Sequence, residues 1–411
     1  MLLARLVSGW DVALPVLCGF LAILVAIPGM VCGARAPEVP SDTNVSAVVA
    51  EIWTSFPRAQ GPGDLVLNAP YDMCMDSKGR MFILDRWDTV KPGRIYVLNQ
   101  KLRVEAVIGS TEDVTVRIPE FGHDLTDIAV DSKDRLYVCD ATIRQESPGG
   151  PLLPGKVHVL HSNLSWLGSI EIPYGGTAGG PYCIAIDSKD RLIVGQWRAL
   201  GESRILVFAP NQTGVNDVSM VLERVVQPCP PGEDCPTNRH GSPMDISVDQ
   251  QGRIIIAETL DYGTQYFPYL ERVAVLDQDY RWLMSLGSYG KEPGHFTCLS
   301  SAVVDRSGVL IVHDGGTGTI SFFFANGTFA GRIGRQGSEP GEFSLLGRMM
   351  VTDQGTILLA DSGNGRIQKI SVDLSSLHPI CVVSENMTLL GPFLVSVLAI
   401  MRRARKTNWL A

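Results

Sequence analysis

Six copies of one pattern run through the middle of the chain: PYDMCMDSKGRMFILD (70–85), LTDIAVDSKDRLYVCD (125–140), PYCIAIDSKDRLIVGQ (181–196), PMDISVDQQGRIIIAE (243–258), LSSAVVDRSGVLIVHD (299–314) and LGRMMVTDQGTILLAD (346–361). Each copy is a short apolar run, a polar turn beginning at Asp76, Asp131, Asp187, Asp249, Asp305 or Thr352, and a second apolar run. That alternation predicts a β-hairpin. A third apolar run follows every hairpin (GRIYVLN, GKVHVLH, SRILVFA, ERVAVLD, GTISFFF, GRIQKIS), and a fourth follows the first five. Four strands per unit, recurring about every 55 residues, predict the blades of a propeller. The sixth unit lacks a fourth run, and SAVVAEIWTSF (46–56) is the only strand-like segment left unassigned. The expectation is therefore an all-β, six-bladed β-propeller over 46–373, with its ring closed by an N-terminal strand that leaves no open seam.

Two linkers make the pattern more specific. GSYGKEPGHF (287–296) and GRQGSEPGEF (334–343), each followed by a hairpin, resemble NHL repeats. Blades one to four depart from that pattern through insertions and degenerate linkers such as QGPGDLVLNAP. The resemblance implies an NHL-type propeller. That family includes scaffolds, ligand-binding ectodomains, RNA-binding ubiquitin-ligase modules and an amidating lyase, so it implies little about activity.

The ends point to a secretory route. Leu14–Cys32 is an apolar run with Arg5 ahead of it and small residues after it, which reads 1–36 as a signal peptide or an uncleaved signal anchor. Residues 374–386 form a juxtamembrane linker. Residues 387–411 carry an uncharged stretch followed by Arg402, Arg403, Arg405 and Lys406, as a membrane segment with a basic cytoplasmic tail does. A hydrophobic tail docked on the body is the alternative. Sequons at Asn44, Asn163, Asn211, Asn326 and Asn386 are candidate glycosylation sites on a secreted or single-pass protein whose propeller is extracellular or lumenal. Cys229 and Cys235 flank a short loop containing Pro and Gly, and are the candidate disulfide. The net charge of −8 at pH 7 argues against a nucleic-acid partner.

The loop lengths are asymmetric. Every turn between first and second strands is tight, whereas insertions collect between second and third strands and in the blade linkers, which share the opposite face. Asn163, Asn211 and Asn326 fall in turns between third and fourth strands, on the tight-turn face, and glycans there would leave the long-loop face free to bind. Four blades also repeat an acid at the end of the second strand with a base at the start of the third: Asp85/Arg94, Asp140/Lys156, Glu258/Arg272 and Asp361/Arg366. They read as pairs bracing each loop.

The first strand opens with Asp72, Asp127, Cys183, Asp245, Ser301 or Arg348, near the mouth of the central channel. Three carboxylates there suit a hard cation such as Ca²⁺, or they cap backbone amides, with Arg348 as an internal counter-charge. His123, His240 and His295 precede three of these strands, and with Asp72, Asp127 and Asp245 they make a candidate Ca²⁺ or Zn²⁺ set. The loop DYGTQYFPYLE offers Tyr262, Tyr266, Phe267 and Tyr269 as an aromatic contact. No catalytic signature such as GxSxG, HExxH or a P-loop occurs. The leading expectation is a binding protein that takes a protein or glycan partner on its long-loop face. The alternative is a metal-dependent lyase or hydrolase working at the channel mouth.

Overall fold

Each repeat places apolar residues at consecutive strand positions, so both faces of the resulting strand must be buried. In blade two, Leu136 and Val138 of the second strand pack toward blade one, while Tyr137 and Cys139 pack toward blade three. Period-two alternation thus serves two interfaces at once. A computed structural model of the chain bears this out around the whole molecule. It describes residues 47–54, 67–86, 92–142, 144–145, 152–153, 155–173, 180–197, 204–211, 218–227, 241–260 and 270–372.

The structure is an all-β six-bladed propeller, and the described residues contain no α-helix. The first strands of the blades are Pro70–Met75, Leu125–Val130, Pro181–Ile186, Ser242–Val248, Leu299–Val304 and Met349–Val351. Each blade is an antiparallel meander running outward from its first strand. Blade one carries a fifth short strand, Val116–Arg117, added in parallel to its edge. Blade two carries a two-stranded ribbon, Arg144–Gln145 with Leu152–Leu153, in the loop between its second and third strands. The outer strand of blade six is Ala47–Thr54, which pairs antiparallel with Arg366–Val372.

Six apolar clusters fill the gaps between neighbouring blades. One of them joins Leu358, Ala360 and Ile367 of blade six to Met73, Ile83 and Tyr96 of blade one. The glycines of the two family-like linkers are dictated locally. Gly287 and Gly334 adopt φ of +87° and +82°, and each lies against the ring of a buried phenylalanine, Phe296 or Phe343, where a side chain would collide.

The tight turns are built alike. In blades one to four, the turn aspartate accepts the amides two and four residues ahead and pairs with an arginine four residues on, as Asp76 does with Arg80 at 2.7 Å. These turns also tie neighbouring blades together: Arg80 donates to the Ser162 carbonyl, and Arg191 to that of Gln278. Tight turns and third-to-fourth turns therefore share one face. Asn163, Asn211 and Asn326 are exposed on it. Residues 1–36 and 374–411, Asn44, Asn386, Cys229, Cys235, His240, Tyr262, Tyr266, Phe267 and Tyr269 lie outside the described residues.

Candidate functional site

Six first strands converge on the central bore, and their opening residues form one ring. Asp72 Oδ2 accepts the amide of Ile128 at 2.9 Å. Asp127 accepts the amide of Ile184 in a very short bond. Asp245 Oδ2 accepts both the Ser301 hydroxyl, at 2.7 Å, and the Ala302 amide, at 3.1 Å. Ser301 Oγ in turn accepts the Met349 amide at 3.0 Å, and Cys183 Sγ donates to the Pro243 carbonyl. Each opening side chain from blade one to blade five therefore grips the first strand of the next blade. The carboxylates cap strand amides, which is one of the two roles the sequence left open.

Arg348 breaks the sequence of grips. It is 2 % exposed and reaches across the bore, donating to the carbonyls of Met244 and Tyr182. Its guanidinium pairs closely with Asp127, lies 3.8 Å from Asp245, and sits over the ring of Tyr71. The Tyr71 and Tyr182 hydroxyls meet at 2.7 Å. Arg348, Tyr71 and Tyr182 thereby plug the bore at its linker end.

Burial raises the carboxyl pKa values of Asp72, Asp127 and Asp245, most strongly at Asp127, where the Asp72 charge adds to burial and Arg348 opposes it. Burial works against the charge on Arg348, yet its three carboxylate neighbours hold its pKa well above the ordinary value. A site with these features is an internally compensated cluster that holds strands in place.

The two described histidines of the candidate metal set lie elsewhere. His123 is exposed, and His295 is exposed with its Nδ1 at 2.7 Å from Ser288 Oγ in its own linker. Among the described residues, no three His, Cys, Asp or Glu side chains are grouped so as to hold a metal ion.

The acid–base pairs beside the long loops hold in two blades and fail in two. Glu258–Arg272 and Asp361–Arg366 are ion pairs at 2.6 and 2.7 Å. Arg94 instead pairs with Asp113, and Asp140 takes His158 Nε2 at 3.1 Å while Lys156 leans to Glu171. The more general role of these acids was not read from the sequence. Asp85, Asp140, Asp314 and Asp361 each accept backbone amides of the linker entering their own blade: Ala69, Gly122, Cys298 and Ser344. The signal was the recurrence of Asp at the end of the second strand even where no base follows, as at Asp314. The Tyr71–Tyr182 contact had no signal, because the two residues lie on different blades.

Neither a protein-family model nor a curated protein sequence matches the chain. Solved structures resemble it at low identity. Virginiamycin B lyase from Staphylococcus aureus aligns with 75 % of this chain and 98 % of its own, at 11 % identity and a TM-score of 0.45. A gluconolactonase from Xanthomonas campestris aligns over 75 % and 87 %, at 11 % identity and 0.47. An auxiliary nutrient binding protein from Bacteroides thetaiotaomicron aligns over 75 % and 70 %, at 10 % identity and 0.48.

Proposed function

We propose that this chain is a secretory-pathway binding protein built on an NHL-type propeller sealed by its N-terminal strand. It takes a protein or glycan partner on the long-loop face. In this reading residues 1–36 direct the chain to the secretory route, the C-terminal segment tethers it, and glycans at Asn163, Asn211 and Asn326 cover the tight-turn face.

The observation that carries the reading is the plug. A catalytic site at the channel mouth needs an open hollow with groups free to exchange protons. Here that end of the bore is filled by Arg348, Tyr71 and Tyr182, and the carboxylates are engaged with strand amides. Recognition on that face then falls to the long loops, for which the sequence offers Tyr262, Tyr266, Phe267 and Tyr269 as candidate contacts. Aromatic side chains on loops carried by a rigid scaffold favour binding.

The test uses the full chain from a secretory host, applied to a glycan array and to a panel of extracellular domains. A ligand should be found whose binding is lost when Tyr262, Tyr266, Phe267 and Tyr269 are replaced by Ala. The same ligand should still bind when Lys78, Lys133 and Lys189, exposed on the opposite face, are replaced by Gln. Loss of binding only in the lysine variant overturns the face assignment.

A further inference from the structure

The plug closes the bore at one end only. Below it lies a cavity of about 290 Å³ lined by first-strand residues of all six blades. The residue before each tight turn is apolar, and these six, Met75, Val130, Ile186, Val248, Val304 and Val351, ring the open end. Met75 is 38 % exposed and the other five are half-buried, so the ring presents apolar surface to solvent. Apolar surface gathered from every blade at one opening marks a place where something docks.

The last described strand leaves the propeller beside this opening. Arg366–Val372 starts at the long loop, where Arg366 pairs with Asp361, and runs toward the tight turns, where Ile370 pairs with Ile357. Val372 therefore leaves blade six on the face where the bore is open, in the third strand of the blade whose first strand ends at Val351. Neighbouring strands lie about 4.8 Å apart, which sets Val372 roughly 10 Å from that first strand. Beyond it, outside the described residues, the sequence reads DLSSLH and then Pro379-Ile380-Cys381-Val382-Val383, a short apolar run ended by Ser384 and Glu385. The six residues 373–378 span up to about 20 Å when extended, enough to carry the run to the bore. Ile380 and Val382 share one side of an extended chain. An apolar cavity of about 150 Å³ takes a benzene-sized body, so the volume below the plug accommodates both side chains. We propose that residues 379–383 fold back onto the propeller and cap the open end of the bore, with Ile380 and Val382 against the apolar ring. The run precedes 387–411, so this cap is compatible with a C-terminal tether, and it is independent of whatever binds the long-loop face.

The test is a fluorescence anisotropy titration with a labelled peptide of residues 377–385 carrying Cys381→Ser. In the native full chain the tethered run competes at an effective concentration on the order of millimolar, so the peptide should bind weakly. Ile380→Asp with Val382→Asp empties the opening, and that full chain should bind the peptide at least about tenfold more tightly than the native chain does. Adding Val248→Asp and Val304→Asp puts charge on the ring and should abolish the gain. Equal binding by the native chain and the Ile380/Val382 variant, no binding by either at millimolar peptide, or a gain that survives Val248→Asp and Val304→Asp overturns the proposal. A chain shortened after Asn386 should exclude the peptide as the native chain does. If it instead binds like the Ile380/Val382 variant, the occupant is 387–411 and the proposal falls. If the ring variant fails to fold, the other proteins still decide, because their changes lie outside the described blades.

Discussion

The chain uses aspartate and arginine twice, in opposite ways. In the tight turns of blades one to four every aspartate has its own arginine four residues away, at 2.6–2.7 Å. In the bore three aspartates share one arginine that arrives from a different blade. The turn pairs are local and repeated, so losing one leaves the others intact. The bore cluster is assembled from chain-distant residues, has a single cation among the described residues, and is buried, so none of the described residues can substitute for it. The outer strand of blade six belongs with the bore in this respect, since it pairs Ala47 with Val372 and Thr54 with Arg366.

If this contrast is right, chain-distant elements should dominate stability. The largest expected effect is deletion of residues 47–54. It strips blade six of its outer strand and exposes the edge of Arg366–Val372. Such a protein should show no cooperative thermal transition; an unchanged transition would place the strand outside the cooperative unit.

Next comes Arg348→Met, which removes the one cation found beside three buried carboxylates among the described residues. A loss of about 3–5 kcal/mol in chemical denaturation is expected. A loss below about 1 kcal/mol would mean the carboxylates are neutralised by protons alone.

That alternative is addressed by pH. Burial raises the folded-state pKa of Asp127 above its unfolded value. Its contribution to stability is therefore full below the unfolded pKa and is lost as pH rises through the folded one, at up to about 1.4 kcal/mol per pH unit for one proton. Asp127→Asn abolishes this dependence. Its stability relative to the native chain should accordingly improve as pH rises from 4 to 8 in parallel urea titrations. A relative stability that falls with pH would show that pairing with Arg348 outweighs burial.

The turn pairs should matter less. Asp249→Ala removes the acceptor of the Gln251 and Arg253 amides and of the Arg253 guanidinium, and should lower stability by about 1–2 kcal/mol. The smallest effect runs in the other direction. Blade six has Thr352 and Thr356 where blades one to four have aspartate and arginine, and Thr356 N bonds Thr352 Oγ1 at a long 3.2 Å. Thr352→Asp with Thr356→Arg should raise stability by about 0.5–1 kcal/mol, read as a small upward shift in Tm. A turn exchange more damaging than Arg348→Met would break the contrast altogether.

The repeat in the sequence carried the blade count, the strand order and the direction of the hairpins. A buried strand must be apolar along its length, and a turn must be polar, so both leave marks on consecutive residues. The same reading isolated Asp72, Asp127, Asp245 and Arg348 by their common slot, and offered amide capping as one role for the carboxylates. It misassigned Arg94 and Lys156, because an acid and a base near each other in sequence do not show which neighbour each meets across a blade. It grouped His123 and His295 with the bore by their order before a strand, although His295 bonds within its own linker.

Sequence alone determined what is local: the hairpins, the turn aspartates, and the linkers GSYGKEPGHF and GRQGSEPGEF as a recurring motif. Only the tertiary structure decided that Asp72 reaches Ile128, that Tyr71 meets Tyr182, and that Arg348 crosses the bore to close one end and leave a cavity at the other. Propeller symmetry brings residues from different blades to one axis, and their meeting depends on the angle between sheets, which no spacing along the chain records.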